Sequence, residues 1–217
     1  MNKVPQQIIA GIWHWTAPYS NIGGTLVSSY WLDEAGVLID PLTPDAVLEW
    51  LSRRPTPPTA VVLANRHHYR NCAAINERFG CQVHVPAAGM HAFTQGEPVV
   101  PYEPGDELPG GLVAVEVGAL SPDDGGLYLG SSRGLWLADT LVRSPTDPAS
   151  GIGWVPDSLM NDPVQTKRGL LAAFERILSD YDFEHLMLAH GLPLVSNGRA
   201  ELERFVREGG RPARGAF

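Results

Sequence analysis

Residues 61–71 read Val61-Val62-Leu63-Ala64-Asn65-Arg66-His67-His68-Tyr69-Arg70-Asn71, and their chemistry changes abruptly in the middle. Four apolar residues make a buried strand, and polar and aromatic residues follow without a break. A strand that delivers imidazole, guanidinium and amide groups to its carboxyl end is how open α/β folds build sites. The pattern predicts a strand over 60–64, a polar loop, and a helix from about Tyr69 to Phe79 that Gly80 caps.

On the N-terminal side, residues 7–15 read as one opening strand and Thr25 to Leu32 as a second. The turn Asp33-Glu34-Ala35-Gly36 leads into a third, which ends at Ile39-Asp40-Pro41. Thr43 and Pro44 open a helix whose apolar stripe is Val47, Leu48 and Leu51. With a strand over 81–85, the middle of the chain runs β-α-β-α-β, which requires right-handed crossovers. Residues 86–111 read as a loop-like connection with a short helix near Met90 to Phe93. Strands return at Leu112 to Val117, Leu127 to Gly130 and Leu135 to Ala138, before a loop over 141–161. Asp162 and Pro163 start an amphipathic helix with Leu170, Leu171, Phe174 and Leu178 on one face. A strand from Phe183 to Leu188, a helix near 199–207 and a loose tail over 209–217 complete the order. An α/β (α+β) architecture of two mixed sheets with helices on the outer faces, an αββα sandwich, satisfies it, with 1–217 as a single domain.

The 217 residues suffice to bury a full core, and 44% hydrophobic with 18% charged is the balance of a globular protein. The net charge of −8 argues against nucleic acid and anionic membrane surfaces as partners, and leaves a small-molecule substrate or ligand. The two cysteines, Cys72 and Cys81, read as buried reduced thiols. No stretch has the length of a signal peptide or membrane span, so the expected location is cytoplasmic. No phosphate-binding glycine loop, serine nucleophile elbow or cysteine-based zinc spacing occurs.

Asp40, the Asn65-Arg66-His67-His68 run, Asp139 and His190 each follow a short apolar run. In an α/β fold such strand ends converge on one edge, and imidazoles with carboxylates are the donors that zinc, iron and manganese take. These stretches resemble the metallo-β-lactamase superfamily, which includes glyoxalase II-like hydrolases. Its members run from a strand ending in Ile-Asp-Pro or Ile-Asp-Thr-Gly through T-H-x-H-x-D-H, G-H-T-x-G and G-D to a final G-H-G. The resemblance implies a metallo-β-lactamase-like fold over nearly the whole chain, with an eroded metal motif. Asn65 stands for the first histidine, His67 keeps the second, Tyr69 replaces the aspartate and Arg70 the last histidine. Asp139 matches the aspartate that bridges two metals in relatives, and His190 matches the final histidine.

Three readings of this remnant stand side by side. In the first, His67, Asp139 and His190 hold one divalent ion (zinc, iron or manganese), Asn65 adds a weak oxygen ligand, and Asp123 or His68 joins if its loop folds inward. In the second, the Arg70 guanidinium sits where a metal would and pairs with Asp139, leaving no metal and a positive pocket in which His67 acts. In the third, the residues are a satisfied hydrogen-bond network left by a lost activity. The first predicts a metal-dependent hydrolase of ester, thioester or related bonds, with Asp139, His67 and Arg70 catalytic. The alternative is an inactive small-ligand-binding or interaction module on the same fold. Trp13, His14 and Trp15, with His68, are expected to line the substrate pocket.

Overall fold

The computed structural model describes residues 4–212. The first sheet has seven strands in chain order: β1 (Gln6–Ile9), β2 (Ile12–Tyr19), β3 (Thr25–Leu32), β4 (Val37–Ile39), β5 (Ala60–Val62), β6 (Gln82–Pro86) and β7 (Val99–Tyr102). It is antiparallel from β1 to β4 and parallel from β4 to β7. The parallel half is the β-α-β-α-β stretch, with helices α1 (Asp45–Ser52) and α2 (Cys72–Phe79) in the crossovers. The second sheet holds β8 (Glu107–Leu108), β9 (Leu112–Val115), β10 (Gly126–Leu129), β11 (Gly134–Val142) and β12 (Gly153–Trp154), and β13 (His185–His190) lies parallel to β11. Helices α3 (Pro163–Asp180) and α4 (Gly198–Arg207) flank β13 in sequence.

Three apolar layers follow from strand alternation. Between the sheets, Tyr30, Ile39 and Val62 meet Leu127, Trp136 and Met187. Outside the first sheet, Trp15, Trp31, Leu38 and Val61 pack on Val47, Leu51 and Ile75 of α1 and α2. Outside the second, Leu135, Leu137 and Leu186 pack on Phe174, Ile177 and Phe205 of α3 and α4. This is the αββα sandwich. The Tyr30 hydroxyl ties the sheets together, donating to Leu188 O at 2.8 Å and accepting from Leu188 N at 3.0 Å.

Several boundaries differ from the sequence reading. Gly11, at φ 72°, turns the chain between β1 and β2, so the opening strand is a hairpin. The connection over 86–111 contains β7, an edge strand on β6 that tolerates Pro101 because an edge strand has an unpaired side. α1 starts at Asp45, after a Pro44 that is still extended (φ −57°, ψ 157°). The α3 cap is as read: the Asp162 carboxylate accepts from Val164 N and Gln165 N at 3.1 and 3.0 Å. The tail is not loose from 209. Gly210 N bonds Phe205 O at 2.8 Å, and a Cβ on Gly210 would stand 2.2 Å from Trp154. The rest of that expectation, over 213–217, lies outside the described residues. Cys72 and Cys81 are both free and buried.

Candidate metal centre and its pocket

The site forms where β4 and β5 of one sheet face the ends of β11 and β13 of the other. At the end of β4 the backbone of Asp40 turns into a left-handed conformation (φ 46°), and its Oδ1 accepts from Ala64 N at 2.9 Å. Such a φ is costly for a residue with a side chain, and it persists where surrounding bonds over-determine it. Next door, the Asn65 side chain accepts from His67 N at 2.9 Å, capping a short 3₁₀ turn over Arg66–Tyr69. Its amide donates to Asp124 Oδ1 at 3.0 Å. Both ends of the Asn65 amide are therefore occupied, and it does not serve as the weak oxygen ligand expected from the sequence.

The same turn decides which histidine faces inward. His68 is buried, with 3% of its side chain exposed; Nδ1 lies 3.0 Å from Asp40 Oδ1 and Nε2 3.1 Å from Asp139 Oδ1. His67, the expected ligand, is exposed and lines the pocket outside. The donor cluster is thus His68, Asp139 and His190, with His68 rather than His67 completing it. Nor does His68 line a substrate pocket as expected, because both its nitrogens face carboxylates. Arg70 likewise differs from its expected role beside Asp139. Its guanidinium donates to the backbone oxygens of Asp40 at 2.5 Å and Ser28 at 3.3 Å, bracing the end of β4. Asp123 turns away, held by the Arg66 guanidinium, by Arg66 N at 3.1 Å and by Ser121 Oγ at 2.9 Å.

On the opposite side, Asp139 lies where the ladder between β11 and β13 slips, between Leu137 and Val142. His190 is the last residue of β13, and its Nε2 is 3.2 Å from Asp139 Oδ1. The chain leaves the strand through Gly191, at φ 105°; a Cβ there would meet Arg143 O at 2.1 Å, so only glycine fits. Asp124, read only as part of the turn Asp123-Asp124-Gly125-Gly126, is a member that sequence reasoning missed. Its buried Oδ1 accepts from Asn65 Nδ2 and Asp139 N, both at 3.0 Å, and so joins the two sides behind the donors.

The charges follow from these contacts. Burial by itself would lower the pKa of His68, but the Asp40 and Asp139 carboxylates raise it to about 9, so without an ion the imidazole is cationic. Burial pushes Asp139 upward, yet the charge of His68 and hydrogen bonds from His190 and His68 hold it well below the usual carboxylate range. Asp124 is raised, by burial and by the Asp139 charge. Burial and the Arg66 cation lower His67, which is therefore a neutral imidazole.

A cavity of about 530 Å³ opens onto Asp139, His190 and His67. The tryptophans expected there lie elsewhere. Trp15 is fully buried under the helices and donates to Leu42 O at 2.8 Å, while Trp13 packs edge-on to Trp50 at 5.1 Å. His14 points between the sheets, with Nε2 3.1 Å from Ser28 Oγ, and burial lowers its pKa to about 4. Strand alternation explains all three: Trp13 and Trp15 share the helix-facing side and His14 the other.

The donor set could hold one metal ion. Donors about 2.0–2.2 Å from a common tetrahedral ion stand about 3.3–3.6 Å apart. The three ligand atoms lie within 4.8 Å of one another, and the Asp139 oxygen is 3.1 and 3.2 Å from the two imidazoles. Asp40 places its carboxylate 3.0 Å from Nδ1 of His68, a charge contact without hydrogen-bond geometry.

Two facing mixed sheets with outer helices carry a two-histidine, one-carboxylate cluster at the cleft, a possible metal site. The chain has the metallo-β-lactamase fold. It is similar to a metallo-β-lactamase from Pontibacter korlensis (TM-score 0.68, 17% identity, 94% of this chain and 98% of that one). It is similar also to the metallo-β-lactamase FIM-1 from Pseudomonas aeruginosa, solved in a mono-zinc form (0.67, 13%, 96% and 96%). A third likeness is to rubredoxin oxygen:oxidoreductase from Desulfovibrio gigas (0.69, 15%, 95%), of which this chain spans 61%. No family model and no curated protein matches the sequence. No helix among the described residues is long and apolar enough to cross a membrane.

Proposed function

We propose that the chain is a metal-dependent hydrolase of ester, thioester or related bonds, with one divalent ion held by His68, Asp139 and His190. The observation that carries this reading is the convergence of those three donors at the inner end of an open cavity. Asp139 and His190 reach that cavity with 21% of each side chain exposed, whereas His68 stays buried behind them. An ion so held supplies Lewis acidity and lowers the pKa of water toward neutrality. The protein's own residues supply the rest. Asp40 sets a negative charge beside His68, the slipped ladder directs Asp139 toward the cleft, and Gly191 lets the chain turn sharply behind His190. His67, neutral on the cavity wall, is placed to hydrogen-bond a substrate oxygen or to carry a proton to a leaving group. The partner in this reading is a small molecule in the cytoplasm; a net charge of −8 disfavours polyanions.

One observation favours a second reading, an inactive ligand-binding module: the His68 cation between Asp40 and Asp139 already offsets part of their charge without an ion. Reconstitution with zinc, iron or manganese, followed by a screen of ester, thioester, lactone and phosphodiester substrates, separates the two. The hydrolase reading expects turnover that a chelator abolishes and that Asp139→Asn removes. A protein that takes up no ion and cleaves nothing would be the binding module instead.

A further inference from the structure

Away from the donor cluster the cavity walls are mainly apolar. Leu26 at the start of β3, Val142 at the end of β11, and Val155 and Pro156 after β12 form its sides. Its rim carries two large apolar side chains exposed to water, Ile22 at 45% and Leu159 at 65%. They come from separate turns, Ser20–Ile22 and Asp157–Leu159, so the apolar surface is assembled from distant parts of the chain. Large exposed apolar residues grouped on a pocket rim mark a surface that a ligand covers.

The charge inventory of the lining points the same way. Among the described residues that line the cavity, Arg143 is the one permanent cation. Its guanidinium is spent on backbone: Nε donates to Ser150 O at 2.7 Å, Nη2 to Pro148 O at 2.5 Å, and Nη1 to Pro193 O and Leu192 O at 3.0 and 3.2 Å. A ligand carboxylate entering the apolar end would lose its hydration and gain no counter-ion, which is strongly unfavourable.

We propose that the substrate is an uncharged acyl ester or thioester whose acyl part is apolar, seated against Leu26, Val142 and Val155 and covered at the rim by Ile22 and Leu159. The bond cleaved rests on the hydrolase reading; the ligand class rests on the cavity alone. Hydrolysis adds one water across the carbonyl–oxygen or carbonyl–sulfur bond, giving a carboxylic acid and an alcohol or thiol. The acid product, ionised at neutral pH, is then disfavoured by the same walls that held the neutral ester.

Two measurements test this. The first compares p-nitrophenyl acetate, butyrate and octanoate, and the uncharged valerate with the acidic glutarate monoester of equal length, on metal-reconstituted protein. The kcat/KM should rise up to about fourfold per added methylene until the cavity is filled, and valerate should exceed glutarate by at least about tenfold. The variants Ile22→Ser and Leu159→Ser, both at exposed positions, should collapse the octanoate-to-acetate ratio. The second follows binding of straight-chain methyl ketones to chelator-treated protein by calorimetry, with affinity expected to rise with length. Length-dependent ketone binding with no hydrolysis would support the ligand class and overturn the hydrolase reading alone. Hydrolysis that is independent of chain length, a preference for glutarate, or ketone binding that ignores chain length would overturn this inference.

Discussion

The two walls of the cleft are built on opposite plans. On the β4–β5 side Asp40, Asn65 and Arg70 are turned inward and hydrogen-bonded. Asp40 holds Ala64 N, Asn65 spans His67 N and Asp124, and Arg70 braces two carbonyls. On the β11–β13 side, Asp139 and His190 stay partly open to the cavity. On the β4–β5 wall Asp40, Asn65 and Arg70 form a hydrogen-bonded shelf rather than an open socket. That shelf delivers one imidazole, His68, to the two open donors facing it. Loss of ligand letters on one wall is thus compatible with a complete three-donor set across the cleft.

The largest expected effect comes from breaking the bridge between the walls. His68→Ala should abolish metal retention and lower stability by about 3–5 kcal/mol, because it removes the cation that stands between Asp40 and Asp139. His67→Ala, on the exposed side of the same turn, should do neither; denaturant titration with and without chelator compares the pair. Next in size is pH. In chelator-treated protein the His68 contribution is full below about 6.5 and lost as pH rises to about 9, worth about 3 kcal/mol. His14, buried neutral with a pKa near 4, works in the opposite direction: stability falls as pH drops from about 6.5 to 4. Thermal unfolding across pH 4–9 should therefore peak near the middle, and His68→Ala should remove only the alkaline arm.

Smaller effects sharpen the contrast between the walls. Asp40→Asn keeps the size of the side chain but weakens the hold on His68 Nδ1. Zinc affinity should fall about 10- to 100-fold, as measured by competition with a chromophoric chelator. Arg70→Met should remove one donor from each of the Asp40 and Ser28 carbonyls and cost about 2 kcal/mol in urea unfolding, with metal content unchanged.

Much of this was readable in the chain. The layer order follows from helix and strand periodicity, and Asp139 and His190 stand out because each follows an apolar run. The exchange of His67 for His68 was not readable. Two adjacent histidines differ by a rotation of the chain, and the 3₁₀ turn that sets it depends on the Asn65 side chain capping His67 N. An Asn before a polar run is a signal for such a cap, but it does not say which imidazole the turn buries. Asp124 was hidden for a related reason: Asp-Asp-Gly-Gly is strong turn chemistry, and only the tertiary contact with Asn65 gives one of its carboxylates a second role. The tryptophans misled because their neighbourhood in sequence says nothing of which sheet face they occupy.

Metal content of the purified protein, its His67→Ala variant and its His68→Ala variant, after reconstitution and dialysis, tests the three-donor centre most directly. The account predicts about one zinc, iron or manganese ion per chain in the first two and none in the third. Retention by His68→Ala with loss in His67→Ala, or no ion in any of the three, would contradict it.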